Sequence, residues 1–351
     1  MTEQQPFCPE CDMTEDAVDR RGFLHAAAGT AVTLVGLQAV AKTPSVRADG
    51  PVARVAKPSE ALIRELHASL SDDQKRRVVL PWNHGQTNGT GIPTRMRFYN
   101  NAIFGDRRIQ DVYTPAQREL CERILRGMCS GDDGYRLISR GGSWDTATPT
   151  FERHGAYIFG DPTGDNQFAW VFAGHHLTMR CDGNSEPDAA FGGPMYYGHS
   201  PDGWSQRNLF FPQTRAAKDL FESFNEAQRR QALVGGSSPG EGEGAVRFRA
   251  RGQQYPGLAA GEMTADQRAL VERVMRSVLS PYRSEDADEV MQLVRRNGGL
   301  ARLHMAFYRD QGGNDDTRWS FWRIEGPGFV WNFRVLPHVH THVKIGVPPQ
   351  A

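Results

Sequence analysis

Thr114-Pro115-Ala116-Gln117-Arg118-Glu119-Leu120-Cys121-Glu122-Arg123-Ile124-Leu125-Arg126 recurs 150 positions later as Thr264-Ala265-Asp266-Gln267-Arg268-Ala269-Leu270-Val271-Glu272-Arg273-Val274-Met275-Arg276. Each copy reads as a helix with a Thr N-cap and Gln at N3, a capping box. Leu120, Cys121, Ile124, Leu125 and Met128 form an apolar stripe at i, i+3, i+4 spacing, and Leu270, Val271, Val274, Met275 and Val278 repeat it. Two further matches are collinear with the first. Leu70-Ser71-Asp72-Asp73-Gln74-Lys75-Arg76 matches Phe224-Asn225-Glu226-Ala227-Gln228-Arg229-Arg230 at an offset of 154, and Trp170 to Gly174 matches Trp322 to Gly326 at 152. Residues 58–182 and 212–335 therefore read as two copies of one helix-helix-strand-strand unit.

Each half ends in aromatic, alternating segments. The first has Ala156 to Phe159, a turn through Asp161 to Asn166, and Phe168 to Met179. The second has Leu303 to Tyr308, a turn through Gly312 to Asp316, Trp319 to Ile324, and Phe329 to Val335. Helices followed by hairpins predict an α+β fold with a largely antiparallel sheet, not a doubly wound parallel one. Gly235 to Gly244 reads as a loop inside the second half.

The beginning of the chain reads as an address. Asp19-Arg20-Arg21-Gly22-Phe23-Leu24-His25 resembles a twin-arginine export consensus, and the moderately apolar run Ala26 to Ala41 follows it. Small residues at Ala39-Val40-Ala41, or at Val46-Arg47-Ala48, offer a cleavage site. The run is short and rich in Ala, Gly and Thr for a membrane span, though an uncleaved anchor is the alternative. The division expected is residues 1–48 as signal and linker, and 49–351 as a single duplicated domain. Localisation is expected in the periplasm or outside the cell, with the twin-arginine machinery as an export partner.

Cys8-Pro9-Glu10-Cys11 lies upstream of the arginines and would leave with the signal. Of the remaining cysteines, Cys121 and Cys129 would sit about 12 Å apart along one helix, too far for a disulfide. Lys plus Arg equal Asp plus Glu at 41 each. That balance argues against a nucleic-acid partner or a polybasic membrane surface.

Chemistry concentrates in histidine. In His338-Val339-His340-Thr341-His342, strand alternation puts three imidazoles on one face, the outer two about 13 Å apart. His175 and His176 follow Gly174 at the end of a strand. On a continuous strand they would point to opposite faces, unless a turn begins at Gly174. The repeat places Pro327 and Gly328 opposite His175 and His176, and a polar loop near Glu186 to Ala190 opposite the three-histidine run. The imidazoles are thus added asymmetrically to a scaffold that is built without them.

A three- or four-nitrogen set drawn from His175, His176, His338, His340 and His342 suits Cu, Fe or Zn. The same residues also fit hydrogen-bonding or packing roles. His84, His199 and His304 are in reserve, whereas His67 and His154 read as packing residues. Trp144, Trp170, Trp319, Trp322 and Trp331 are either core or a ligand groove. Asp182 and Glu325 are possible bases beside the clusters. No phosphate cradle, GxSxG elbow or marked catalytic cysteine is present.

Trp170-Val171-Phe172-Ala173-Gly174-His175-His176-Leu177 resembles the W-x-x-x-G-H-H-L signature of a secreted bacterial family, the domain of unknown function numbered 3500. His338-Val339-His340 resembles its His-x-His motif, and Tyr157 to Gly160 its Tyr-x-x-Gly segment. The resemblance spans residues 58–346 and implies export. It departs after His342, where an Arg-Asp pair is expected and Val343-Lys344-Ile345-Gly346 stands.

The function expected is an exported, histidine-ligated metalloenzyme acting on a small molecule or envelope component, redox chemistry being favoured over hydrolysis. The alternative is a non-catalytic periplasmic ligand-binding protein with an aromatic platform.

Overall fold

A computed structural model of the chain describes residues 57–86, 91–145, 150–186, 189–250, 252–309 and 319–346. The export-signal reading, Cys8, Cys11 and the turn through Gly312 to Asp316 lie outside the described residues. The first half contains α1 (Pro58–Ser69), α2 (Asp72–Val78), β1 (Val79–Leu80), α3 (Ile109–Val112), α4 (Pro115–Arg126), α5 (Gly131–Ile138), β2 (Gly155–Gly160), β3 (Phe168–Gly174), β4 (Leu177–Cys181) and β5 (Met195–His199). The second contains α6 (Phe211–Glu222), α7 (Glu226–Ala232), β6 (Leu233–Val234), β7 (Leu258–Ala259), α8 (Ala265–Val278), α9 (Ser284–Arg296), β8 (His304–Arg309), β9 (Trp319–Gly326), β10 (Phe329–Arg334) and β11 (Val339–Ile345). This is an α+β protein.

The capping boxes form as the spacing predicts. Thr114 and Thr264 accept from the backbone N–H of Gln117 and Gln267, and both glutamines return a bond to the cap backbone. The same glutamines tie helices together. Gln117 Nε2 donates to Ser69 O at 2.9 Å and Gln74 Nε2 to Gln117 Oε1 at 2.7 Å. Gln267 Nε2 donates to Ser223 O at 2.9 Å and Gln228 Nε2 to Gln267 Oε1 at 3.0 Å. These bonds satisfy backbone carbonyls at the C-terminal ends of α1 and α6.

One mixed sheet runs in the order β1-β2-β3-β4-β5-β11-β10-β9-β8-β6, with β7 alongside β8. From either edge it begins with a two-residue strand parallel to its neighbour and continues antiparallel to the centre, where β5 meets β11. In that order Met195–His199, not a loop near Glu186 to Ala190, holds the place in the first half that the three-histidine run's strand holds in the second, and the two strands pair with each other. Each strand set also extends beyond residues 182 and 335, because β5 and β11 belong to it.

The helical face of the sheet is apolar. Tyr197, Val339, Val343, Phe333 and Trp322 belong to one continuous buried core with α4, α6 and α8. Trp170, Trp319, Trp322 and Trp331 are at most 2% exposed and Trp144 is also buried, so these five are core residues. The opposite face is polar and is roofed by the loops around residues 91–108 and 235–250. Thr178 Oγ1 donates to Tyr99 O at 2.7 Å, Arg180 to Arg97 O at 2.5 Å, and Arg323 Nη1 to Ala245 O at 2.6 Å. Cys121, Cys129 and Cys181 are free and buried.

The turn joining β3 to β4 is clamped. His154 is fully buried, its ring stacked on Phe172 at 5.1 Å, and its Nδ1 lies 3.1 Å from Thr150 O. A side chain at Gly174 would meet that imidazole at 1.7 Å. Gly174→Ala is therefore expected to destabilise the protein by about 1–3 kcal/mol through overpacking, read as a lower denaturant midpoint. An unchanged midpoint would refute the clamp.

Burial, reinforced by Arg140, pushes the His154 imidazole down to about 3. The unfolded chain, with an ordinary value near 6.5, binds the proton first, so stability is held above that pH and lost as pH falls below it. At pH 4.5 this residue alone is expected to remove about 2–3 kcal/mol. Thermal melts of His154→Gln should show a correspondingly smaller acid loss than the wild type, and equal losses would contradict the assignment.

Candidate metal centre

His175 and His176 are the two residues of a hairpin turn, closed by the pairing of Gly174 with Leu177. They do not continue a strand. The turn gives His176 a φ of +53°, whereas the matching turn in the second half has Gly328 at +65°. A non-glycine residue in this left-handed region carries strain of order 1 kcal/mol or more, which is retained where surroundings over-determine it. Here they do. His176 N donates to Asn100 Oδ1 at 3.0 Å, and His176 O accepts from Gly198 N at 2.9 Å and from the Arg140 guanidinium.

His340 and His342 follow the alternation of β11 onto the polar face. Register sets His340 between Gly198 of β5 and Arg334 of β10, and His342 between Tyr196 and Asn332. A glycine at 198 leaves room for the turn: a Cβ there would meet His340 at 2.9 Å and His176 at 3.3 Å. Three imidazoles consequently meet. His338 Nε2 lies 3.1 Å from His176 Nε2 and 2.8 Å from His340 Nε2, and all three rings are at most 5% exposed. These separations are close to the ~3.3 Å edge that two bonds of 2.0–2.1 Å span at a tetrahedral ion.

The outer nitrogens fix the tautomers. His176 Nδ1 lies 2.6 Å from Asp145 Oδ2. Burial opposes ionisation of Asp145, but the bond to His176 together with the nearby charges of His176, Arg140 and His175 outweighs it and holds the carboxyl well below the usual range. A carboxylate only accepts, so His176 Nδ1 carries the proton and its Nε2 presents a lone pair to the cluster. Glu241 does the same for His340, with Oε1 at 2.9 Å from Nδ1, while Oε2 pairs with Arg334. Two carboxylate-imidazole pairs aimed at one point are the arrangement that orients and strengthens metal ligands.

Protonation does not compete near neutral pH. Burial lowers His176 to about 4, opposed by Asp145, and lowers His338 to about 3 with His176 and Arg334 adding to it. His340 falls well below its ordinary value for the same leading reason. His176, His338 and His340 are thus a buried group of neutral nitrogen donors that can hold a metal ion, and Asp145, His175 and His176 form an overlapping group.

The remaining histidines have other neighbours besides. The His175 ring lies tilted against that of His176 with centroids 4.0 Å apart, and its Nδ1 is 3.4 Å from Asn101 Oδ1. His342 is wedged between Phe98 at 4.7 Å and Tyr196 at 4.8 Å, and neither of its ring nitrogens has a hydrogen-bond partner among the described residues. His84 bonds Thr94, His199 lies against Phe210, and His304 lies against Tyr255. Asp182 and Glu325 are engaged elsewhere, Asp182 by Lys57 at 3.7 Å and Glu325 by Arg323 and Arg249 at 2.9 Å each.

Asp145, Glu241, Arg334, Asn100 and Arg140 escape sequence reasoning. Asp145, Arg140, Asn100 and Glu241 lie 31 to 99 positions from the histidines they serve, whereas Arg334 lies 4 and 6 positions from His338 and His340 and alone had a periodic signal, as the β10 residue facing out beside β11.

The family described as "Protein of unknown function (DUF3500)" matches residues 53–345, and the chain belongs to it. No curated protein and no solved structure matches the chain.

Asp145→Asn and Glu241→Gln are each expected to weaken affinity for a divalent transition metal by about 10–100-fold, read by chelator competition. Wild-type affinity in both variants would contradict the role given to the carboxylates.

Proposed function

We propose that this DUF3500 protein is an exported metalloenzyme whose centre is held by His176, His338 and His340. The observation that carries the reading is the convergence of three buried Nε2 atoms, two with lone pairs fixed by Asp145 and Glu241. Three neutral imidazoles suit copper, iron or zinc and leave a further coordination position open, as catalytic sites require. His175 and His342 are adjoining residues in this reading, His175 buttressing the turn and His342 extending the histidine face.

A bound ion would supply Lewis acidity or a redox couple. The chain's own part is to keep the donors deprotonated, hold the rings by Asp145, Glu241 and Asn100, and exclude bulk water. The substrate is a small molecule or a component of the cell envelope, and the reaction is read as redox, with metal-assisted hydrolysis as the other possibility. A binding protein with an aromatic platform has less support, because its five tryptophans are buried in the core.

Export through the twin-arginine route, with residues 1–48 as the signal and 49–351 as the mature domain, remains part of this reading. It is supported by Arg20-Arg21 and the apolar run after them. No helix among the described residues is long and apolar enough to cross a membrane. The two halves are read as an internal duplication, supported by the mirrored strand order and the paired glutamine bonds.

Elemental mass spectrometry on protein exported by its own host is expected to find one copper, iron or zinc per chain. His176→Ala and His340→Ala should each lose it while remaining folded. A folded wild type without stoichiometric metal would overturn the reading in favour of a binding protein.

A further inference from the structure

Arg334 is placed where a metal site would not ordinarily put a cation. Its Nη2 lies 2.8 Å from His340 Nε2 and 3.2 Å from His338 Nε2, the same nitrogens that face the centre. The guanidinium is fixed there: Nε donates to His338 O at 3.1 Å, and Nη1 pairs with Glu241. The Nη2 N–H uses the lone pairs an ion would need, so a bound ion would displace it from both imidazoles and, with metal–nitrogen bonds of about 2.0–2.1 Å, leave Nη2 within roughly 5 Å of the ion with a donor to place. Two cations that close, both buried, repel unless negative charge lies between or beside them.

The two carboxylates that hold the ligand rings do not balance the site by themselves. Asp145 and Glu241 offset two of the three positive charges that a divalent ion and Arg334 bring together. Arg140 adds another, although its N–H groups are taken by the carbonyls of His176 and Gly198. A buried site left positive favours a further anion.

We propose that the open coordination position takes a small anionic ligand, a carboxylate or other oxyanion, gripped on its far side by Arg334. This rests on the metalloenzyme reading and names its substrate class. Arg334 is then a substrate-positioning residue: Nη2, the arm not tied to Glu241 or to the His338 carbonyl, donates to the anion while Glu241, shared between Arg334 and His340, keeps guanidinium and ligand ring in register.

The test uses the full mature protein loaded with cobalt(II), sodium azide as probe, and acetate as competitor, followed by the visible spectrum. Cobalt content is measured on the same samples. Wild type should bind azide, and acetate should displace it. Arg334→Gln should keep one cobalt per chain yet bind azide at least about tenfold more weakly, and Arg334→Lys should stay within about threefold of wild type. Equal azide affinity in wild type and Arg334→Gln overturns the proposal and leaves the metal centre standing. Loss of cobalt from Arg334→Gln also overturns it, because Arg334 would then support the ligands and not face a bound anion. A wild type that takes up no cobalt refutes the metal centre itself.

Discussion

The antiparallel pairing of β5 with β11 is the interaction on which the site depends. It joins two sets of strands into one sheet and fixes which face each histidine of the C-terminal run occupies. A slip of one residue would turn His340 and His342 into the apolar face and bring Val339, Thr341 and Val343 out of it. The apolar residues of β11 are almost fully buried against the helices, which makes that slip costly. Gly198, opposite His340, completes the arrangement by leaving space where His176 enters from the β3–β4 turn.

Burial then decides the electrostatics. Dry imidazoles resist protonation, so the cluster presents lone pairs and not charges at neutral pH. The cost of holding Asp145 and Glu241 beside it is offset by hydrogen bonds to Nδ1 and by Arg334. Strain at His176 belongs to the same economy of structure: where the second half has glycine in the equivalent turn, this one accepts a left-handed histidine to aim a ring.

Much of the scaffold was legible in the sequence because its signals are local. Thr114–Gln117 and Thr264–Gln267 announce helix starts, and the alternation of His338, His340 and His342 announces a shared face. The helix-then-hairpin order leads to the α+β class. The site was only half legible. Asp145 and Glu241 sit in loops rich in glycine, whose approach to the histidines is set by tertiary contacts and leaves no periodicity. The pairing of β5 with β11 has no local signal either, and the counterpart of the histidine run in the first half was placed in a loop near Glu186 to Ala190 instead of in β5. His175 and His176 were ambiguous between strand and turn, and the clamp of His154 under Gly174 resolves them as a turn.

Anomalous diffraction at the absorption edge of the metal found in the exported protein tests the central claim most directly. A single strong peak is expected within about 2.0–2.3 Å of Nε2 of His176, His338 and His340 together. A peak bound elsewhere, or well-ordered imidazoles with no peak between them, would contradict a metal centre built from the two histidine motifs.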